Sequence, residues 1–205
     1  NTYHTALIHG VTGSGKTECF MWPLIAKLMS EAKTKPTSWN IRGVRAIIMY
    51  PMNALVADQI SRLRRIIGTD DFLHIFRKAA QSDIRRPQFG MYTGRTPYPG
   101  SDVNKNSDND LVDSLSHLQK GDGLNEDIYN ALLQEGRIPA KVDLRRFIED
   151  LRKHQHNTDF DDAELITRFE MQKHCPDILI TNYSMLEYML LRPIEVSIWN
   201  STKEW

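Results

Sequence analysis

The chain has 205 residues, of which 40% are apolar and 25% charged, and its 26 basic and 26 acidic side chains cancel. These values are ordinary for a globular domain and exclude an overall basic field, although a local basic groove stays compatible with nucleic acid. There is no apolar run of membrane-spanning length and no signal peptide. We therefore expect a cytoplasmic protein without a membrane partner, with Cys19 as a buried free thiol.

The first element in chain order is a short buried strand predicted at residues 3–9. It is followed at residues 10–17 by Gly-Val-Thr-Gly-Ser-Gly-Lys-Thr and then by a helix. This spacing is that of a phosphate-binding loop, in which backbone N–H groups and a helix N-terminus surround an anion. The alternative is a tight glycine-rich turn that binds nothing.

The loop predicts a site for a nucleoside triphosphate, ATP, with Mg²⁺. Lys16 is expected to reach the β- and γ-phosphates, and the Thr17 hydroxyl to hold the magnesium ion. These two residues are the candidate catalytic residues, and Thr17 is the candidate metal ligand. The candidate nucleotide-binding residues are Thr12, Gly13, Ser14, Gly15, Lys16, Thr17 and Glu18.

Alternating helices and strands continue after the loop. A helix is predicted at residues 18–30, kinked by Pro23, then a strand at 44–50, a helix at 53–67 and a strand at 89–92. The chain then returns to a buried strand at 176–181 and a helix at 184–191.

The intervening segment has a different character, because it opens with prolines and is acidic. Helical spacing of its apolar residues predicts helices at 111–118, 127–134, 144–153 and 163–172. We expect a helical lobe at 98–175, inserted into an α/β domain whose two parts are residues 1–97 and 176–205. This lobe is a candidate surface for a protein partner.

Three further motifs follow predicted strands, at residues 50–59, 92–95 and 181–187. Ligands of parallel α/β sheets bind at the carboxyl ends of the strands. Short donors and helix N-termini at this edge suit a nucleic-acid backbone. The candidate contacts are Pro51, Asn53, Ala54, Gln59, Thr93, Gly94, Arg95, Thr181, Asn182 and Tyr183. Taken one motif at a time, purely structural roles remain open: Asn53 is then a helix cap, and residues 181–183 are an ordinary strand-to-helix turn that contacts no nucleic acid.

Together these motifs resemble the first motor domain of superfamily 2 helicases of the DEAD/DEAH-box group. Residues 13–18 resemble their motif I, residues 51–59 their motif Ia, and Thr93-Gly94 their motif Ib. The segment 180–186 resembles the later strand-contact motif, with Asn182 where proline is commonest. That variant resembles large bacterial helicases with C-terminal accessory domains, some of them in antiphage defence.

The resemblance implies an α/β fold of the P-loop NTPase (RecA-like) class, a parallel sheet flanked by helices with an inserted helical lobe. It also implies an ATP-hydrolysing helicase or translocase on nucleic acid, DNA by family tendency. The Asp-Glu motif of that family is not found in this sequence, and a second motor domain is expected elsewhere in a parent chain. We therefore expect residues 1–205 alone to hydrolyse ATP barely or not at all.

Two other functions remain open on the sequence. The first is a nucleotide-gated module that grips nucleic acid or protein without translocation. The second is a P-loop kinase or small NTPase acting on a metabolite, which explains residues 10–17 but leaves 51–59 and 181–186 as coincidences.

Overall fold

The computed structural model describes residues 5–10, 15–51, 53–97, 105–121 and 124–204. The elements in chain order are α1 (Lys16–Thr34), α2 (Pro36–Asn40), β1 (Ala46–Met49), α3 (Asn53–Ile66), α4 (Asp70–Ala80), β2 (Phe89–Tyr92), α5 (Lys105–Ser116), α6 (Glu126–Gln134), α7 (Leu144–Arg152), β3 (Glu164–Leu165), α8 (Arg168–His174), β4 (Ile178–Thr181), α9 (Tyr183–Leu191), a 3₁₀ turn (Pro193–Glu195) and α10 (Val196–Glu204).

The described strands form one parallel sheet in the order β1-β4-β2-β3. Every residue of β4 is buried, as expected for a central strand covered on both faces. The predicted strands at 44–50, 89–92 and 176–181 are β1, β2 and β4, so the predicted parallel α/β fold is confirmed.

Each face of the sheet packs on its own layer of helices because successive residues of a strand point to opposite sides. Ile178 and Ile180 join the apolar faces of α1, α3 and α4, including Leu28, Leu63 and Phe76. The residue between them, Leu179, packs on the other side with residues of α8, α9 and α10. The sheet is thus the middle of three layers.

The helical lobe has a separate apolar cluster. Buried residues of α5 and α7 meet there, among them Leu115, Phe147, Ile148 and Leu151. Arg64 of α3 forms two hydrogen bonds of 2.7 Å with the carboxylate of Glu164 in β3, and its Nη1 also donates to the Gly136 and Arg137 carbonyls at 3.2 Å. This side chain therefore joins α3, the sheet and the segment after α6.

A buried ion network lies at the amino end of β4. Asp177 is fully buried, and its carboxylate accepts hydrogen bonds from Arg45 at 2.8 Å and from Arg85 at 2.5 and 2.8 Å. Both guanidinium groups also lie over the Trp39 ring, at 4.8 and 4.6 Å from its centroid. Burial alone would raise the pKa of Asp177, but Arg85 and Arg45 hold that pKa below its usual range.

Several local predictions are wrong. Residues 5–9, expected in a buried strand, have no regular structure, and Leu7 is 94% exposed. A strand needs a partner for its backbone groups, and this segment pairs with no described strand. Cys19 is exposed, not buried, because it lies on the outer side of α1, whereas Cys175 is buried. Helix α1 contains Pro23 and runs from Lys16 to Thr34, and a kink at that proline stays a prediction.

The largest departure concerns the helix expected at 163–172. Its first residues form β3, which pairs with Phe89 and Gly90 of β2, and the helix α8 begins only at Arg168. The chain is thus already back in the sheet at Glu164, earlier than the expected return at residue 176. The domain boundaries 97/98 and 175/176 stay predictions.

Candidate functional site

The described part of the phosphate loop is its junction with α1. Gly15 has a φ of 79°, a left-handed conformation that favours glycine, and it immediately precedes the helix. The first helical hydrogen bond runs from Cys19 N to Gly15 O, so the amides of residues 16–18 have no intrahelical acceptor. Such amides are suited to an anion. Thr12, Gly13 and Ser14 lie outside the described residues.

Lys16 faces the chain that enters the loop. Its Nζ donates a hydrogen bond of 2.7 Å to the carbonyl oxygen of Gly10. Gly10 and Lys16 are the first and seventh positions of the predicted loop, so this contact joins its two ends. Thr17, the next residue, is half-buried at the start of α1.

Glu18 connects this helix to α3. Its carboxylate accepts a hydrogen bond of 2.6 Å from Arg62, and Arg62 also donates to Asp58 at 3.0 Å. The hydrogen bond that Arg62 donates to Asp58, followed by the charges of Asp58 and Glu18, raises the pKa of Arg62. Because Arg62 and Glu18 are 31% and 49% exposed, this contact contributes little to stability but joins the two helices.

The three strand-end motifs meet at one edge of the sheet. Thr181 of β4 is in register with both Met49 of β1 and Tyr92 of β2. Thr181 Oγ1 donates to the Tyr92 carbonyl at 2.7 Å, and Tyr50 N donates to the Thr181 carbonyl at 3.0 Å. Burial raises the pKa of both tyrosines, Tyr92 more strongly. The residues that follow each strand therefore lie side by side.

A tight turn follows β2. Thr96 Oγ1 accepts from the Thr93 amide at 2.8 Å and donates to the Met91 carbonyl at 2.6 Å. Thr93 Oγ1 in turn accepts from the Arg95 amide at 3.2 Å. Both threonines are buried, whereas Gly94 and Arg95 are exposed. The turn consequently presents the backbone of Gly94 and the side chain of Arg95 to solvent.

The third motif begins a helix. Asn182 Oδ1 accepts from the Met185 amide at 2.8 Å and so caps α9. Tyr183 is 68% exposed beside it. Capping of α9 is thus one ordinary structural role for Asn182. Because α9 begins directly after β4, its first amides lie at the same sheet edge as the turn.

The motif after β1 is only partly described. Pro51 is exposed, and Asn53 and Ala54 begin α3, but their side chains lie outside the description. Gln59 is 3% exposed, and its Nε2 donates to Asp58 at 3.1 Å. A direct contact with a bound strand needs an exposed amide, so this arrangement does not favour Gln59 for that role.

Two arginines at the opposite end of the sheet have structural partners. Arg85 and Arg86 precede β2, are each 3% exposed and pair with Asp177 and Asp70. Because they are buried, they do not offer a phosphate contact.

Sequence reasoning missed one residue that touches the turn, Arg168. It is the first residue of α8, behind an N-cap at Thr167 whose capping box includes Glu170. Its Nη2 donates to the Thr93 carbonyl at 2.7 Å. The Thr-x-x-Glu spacing at 167–170 is the signature of such a helix start and was the available signal.

Residues 2–90 match the family model described as DEAD/DEAH box helicase. The predicted resemblance is confirmed. The chain is also 40% identical, over 215 residues, to Druantia protein DruE of Escherichia coli (strain UMEA 4076-1). That match covers 95% of the chain and 12% of the relative, so the chain spans about an eighth of that protein's length. No solved structure matches the chain significantly.

The matched helicase family implies the P-loop, RecA-like fold. The parallel sheet of this chain agrees with that fold. Among the described residues, no cluster of three or more His, Cys, Asp or Glu side chains could hold a metal ion. In the same part of the chain, no helix is long and apolar enough to cross a membrane.

Proposed function

We propose that the chain is the ATP-binding part of an ATP-dependent helicase or translocase that moves on DNA in bacterial genome defence. The observation that carries the proposal is the position of the three strand-end motifs at one sheet edge, in a chain whose residues 2–90 match the helicase family. The similarity to Druantia protein DruE of a bacterium supports the assignment to defence.

Nucleotide binding would use the loop and the start of α1. Lys16 is placed to exchange its contact with the Gly10 carbonyl for the β- and γ-phosphates, which offer a stronger, charged acceptor. Thr17 and the phosphate oxygens would hold Mg²⁺, consistent with the lack of a protein carboxylate cluster among the described residues.

DNA binding would use backbone contacts without base readout. The exposed Gly94 and Arg95, the start of α9 behind Asn182 and the start of α3 offer amides and one cation along a single edge. Phosphate contacts of this kind fix the position of a strand and carry no sequence information. A motor that steps along any sequence needs this property.

The hydrolytic step would need groups from elsewhere in a longer protein. An arginine supplied by a second motor domain is worth about 10³–10⁵ in rate in comparable phosphoryl transfers. We therefore expect this chain alone to bind ATP and DNA but to hydrolyse ATP barely. The acidic lobe is proposed as a contact for a protein partner of the same assembly.

The test is ATP hydrolysis, with and without single-stranded DNA, by a longer protein containing this chain and a second motor domain, beside its Lys16→Ala variant. Stimulation by DNA that disappears in the variant supports the motor. Hydrolysis at the wild-type rate by Lys16→Ala contradicts it. Single-stranded RNA of the same sequence serves as the competitor that separates a DNA motor from an RNA motor.

A second function is favoured by the Arg62–Glu18 contact, which joins the nucleotide-side helix α1 to the strand-side helix α3. A module that only grips nucleic acid under the control of ATP would use the same link. ATP-dependent DNA binding without DNA-stimulated hydrolysis in the longer protein would select this function.

A further inference from the structure

The turn at residues 93–97 is held from behind by the first residue of α8. The backbone amide of Arg168 donates to the Pro97 carbonyl at 3.0 Å, and its Nη2 donates to the Thr93 carbonyl at 2.7 Å. The guanidinium also lies 5.0 Å from the centroid of the Tyr92 ring. Arg168, which is 8% exposed, thereby contacts one end of the turn through its backbone and the other end and β2 through its side chain.

The position of Arg168 is itself fixed by the polar core beneath the lobe. Thr167 caps α8, and the fully buried carboxylate of Glu170 accepts from the Ile166 and Thr167 amides at 3.0 and 3.1 Å. Lys141 of the lobe binds the same carboxylate. Burial alone would lower the pKa of Lys141, but Glu170 and Asp162 raise it, so the lysine stays charged.

The opposite side of the turn is exposed among the described residues. No described atom lies within 4 Å of where a Cβ of Gly94 would be, and Arg95 is exposed. The turn is therefore anchored on its inner side, and no described residue covers the side proposed to meet a strand. A loop that is ordered before binding avoids the entropy cost of ordering on binding.

We propose that Arg168 is a positioning residue that holds the 93–95 turn in its strand-binding conformation, so that the lobe acts on the nucleic-acid site through α8. This inference rests on the proposed function. Arg168 touches no phosphate in this arrangement, since it is buried behind the turn, and it acts through the Thr93 carbonyl and the Tyr92 ring.

The experiment measures the affinity of the chain for a fluorescent single-stranded DNA across a salt series, with binding of a fluorescent ATP analogue in parallel. Arg168→Met keeps side-chain length but removes the donors, and we expect about tenfold weaker DNA binding from the lost charge-assisted hydrogen bond. The matched control is Arg152→Met, on the exposed side of α7, which should bind like the wild type.

The salt dependence separates positioning from direct contact. Loss of one phosphate contact reduces the slope of log affinity against log salt by roughly 0.7 for a single strand, which we expect for Arg95→Met. Arg168→Met should keep the wild-type slope. Arg168→Lys, which retains one charged donor, should recover part of the affinity, and it carries the test if Arg168→Met does not fold.

Three results would overturn the inference: unchanged DNA affinity in Arg168→Met, a slope reduced as in Arg95→Met, or an equal loss of ATP-analogue binding, which indicates general damage. If the wild-type chain binds the ATP analogue but no DNA, that result contradicts the proposed function itself. The inference about Arg168, which rests on that function, is then overturned as well.

Discussion

Asp177 lies at the centre of one buried charge network beside the sheet. Its carboxylate is the shared acceptor of Arg45 and Arg85, and it also accepts from the Gln88 amide at 2.8 Å. It precedes β4, so it lies at the amino end of the strand, opposite the edge where ligands of parallel sheets bind. Its position indicates a structural role.

Asp177→Asn should therefore destabilise the fold strongly. The variant leaves the buried guanidinium of Arg85 without its counter-charge, whereas Arg45 keeps its ion pair with Glu31 at 3.0 Å. Removing one partner of a buried ion pair typically costs about 3–5 kcal/mol. The measurement is the free energy of unfolding from a urea titration. Asp83→Asn is the matched control, because Asp83 pairs with Arg77 at 2.8 Å but is 87% exposed, and its loss should cost about 0–1 kcal/mol. Equal losses in the two variants would contradict this assignment.

His174 gives stability a defined pH dependence. Burial, followed by the charges of Arg42 and Lys173, lowers its pKa from 6.5 to about 4. The unfolded chain thus binds a proton at a higher pH than the folded chain. The contribution of His174 is fully present above about pH 6.5 and is lost as the pH falls toward 4.

Comparing His174→Gln with the wild type isolates this effect from other titrating groups. The free energy of unfolding of the wild type should fall more steeply between pH 6.5 and 4 than that of the variant, and the two slopes should agree above pH 7. Parallel curves through the whole range would show that His174 titrates alike in both states.

Among the elements, the contact between α3 and the segment after α6 decides how closely the lobe approaches the sheet layer. Gly136 has a φ of 70°, and a Cβ there would overlap the Ser61 carbonyl oxygen of α3. Gly121 has a φ of 88°, but a Cβ there would meet no described atom within 4 Å. The two glycines share a left-handed backbone conformation and differ in their described surroundings.

Alanine at the two positions should separate the cost of the left-handed backbone from the cost of the close contact with α3. Each substitution should destabilise the fold by about 1–2 kcal/mol because of the left-handed backbone, and Gly136→Ala should cost about 1–3 kcal/mol more because α3 must move. Thermal unfolding of the two variants measures the difference. If Gly121→Ala were as destabilising as Gly136→Ala, the close approach to Ser61 would not contribute to the loss of stability.

At the scale of the whole molecule, the lobe and the sheet have distinct apolar clusters. Ile148 is fully buried in the lobe cluster, whereas Ile180 belongs to a cluster under the sheet. Separate clusters joined by a few polar contacts favour opening of one without the other. We expect the lobe to unfold locally at a lower free energy than the sheet.

Ile148→Ala tests this expectation by native-state hydrogen exchange. The cavity should lower the opening free energy of the α7 amides by about 2–5 kcal/mol while leaving the slowest amides of β4 unchanged. The matched variant Ile180→Ala should accelerate the β4 amides. Equal acceleration of β4 exchange by Ile148→Ala would show that lobe and sheet unfold as one unit.

Much of the site followed from residue order alone. The loop at 10–17, the strands β1, β2 and β4 and the helices after them are local patterns of spacing and apolar periodicity, and the helicase resemblance rests on the same residues. Helix α4 was missed although Thr69 and the acidic Asp70 and Asp71 mark its start, and α10 was missed beyond Pro193. These two errors were avoidable in principle.

Other features depended on contacts between distant residues. Whether residues 5–9 pair in a sheet, whether 164–165 join β2, and whether Gln59 is exposed are decided by which neighbours are present, because strand pairing and burial are tertiary properties. Arg168 lies 75 residues from the Thr93 carbonyl that it holds. The sequence by itself predicted the chemistry of this protein, since motif spacing indicates it, and only the tertiary structure decided which buried charges lie around the sheet.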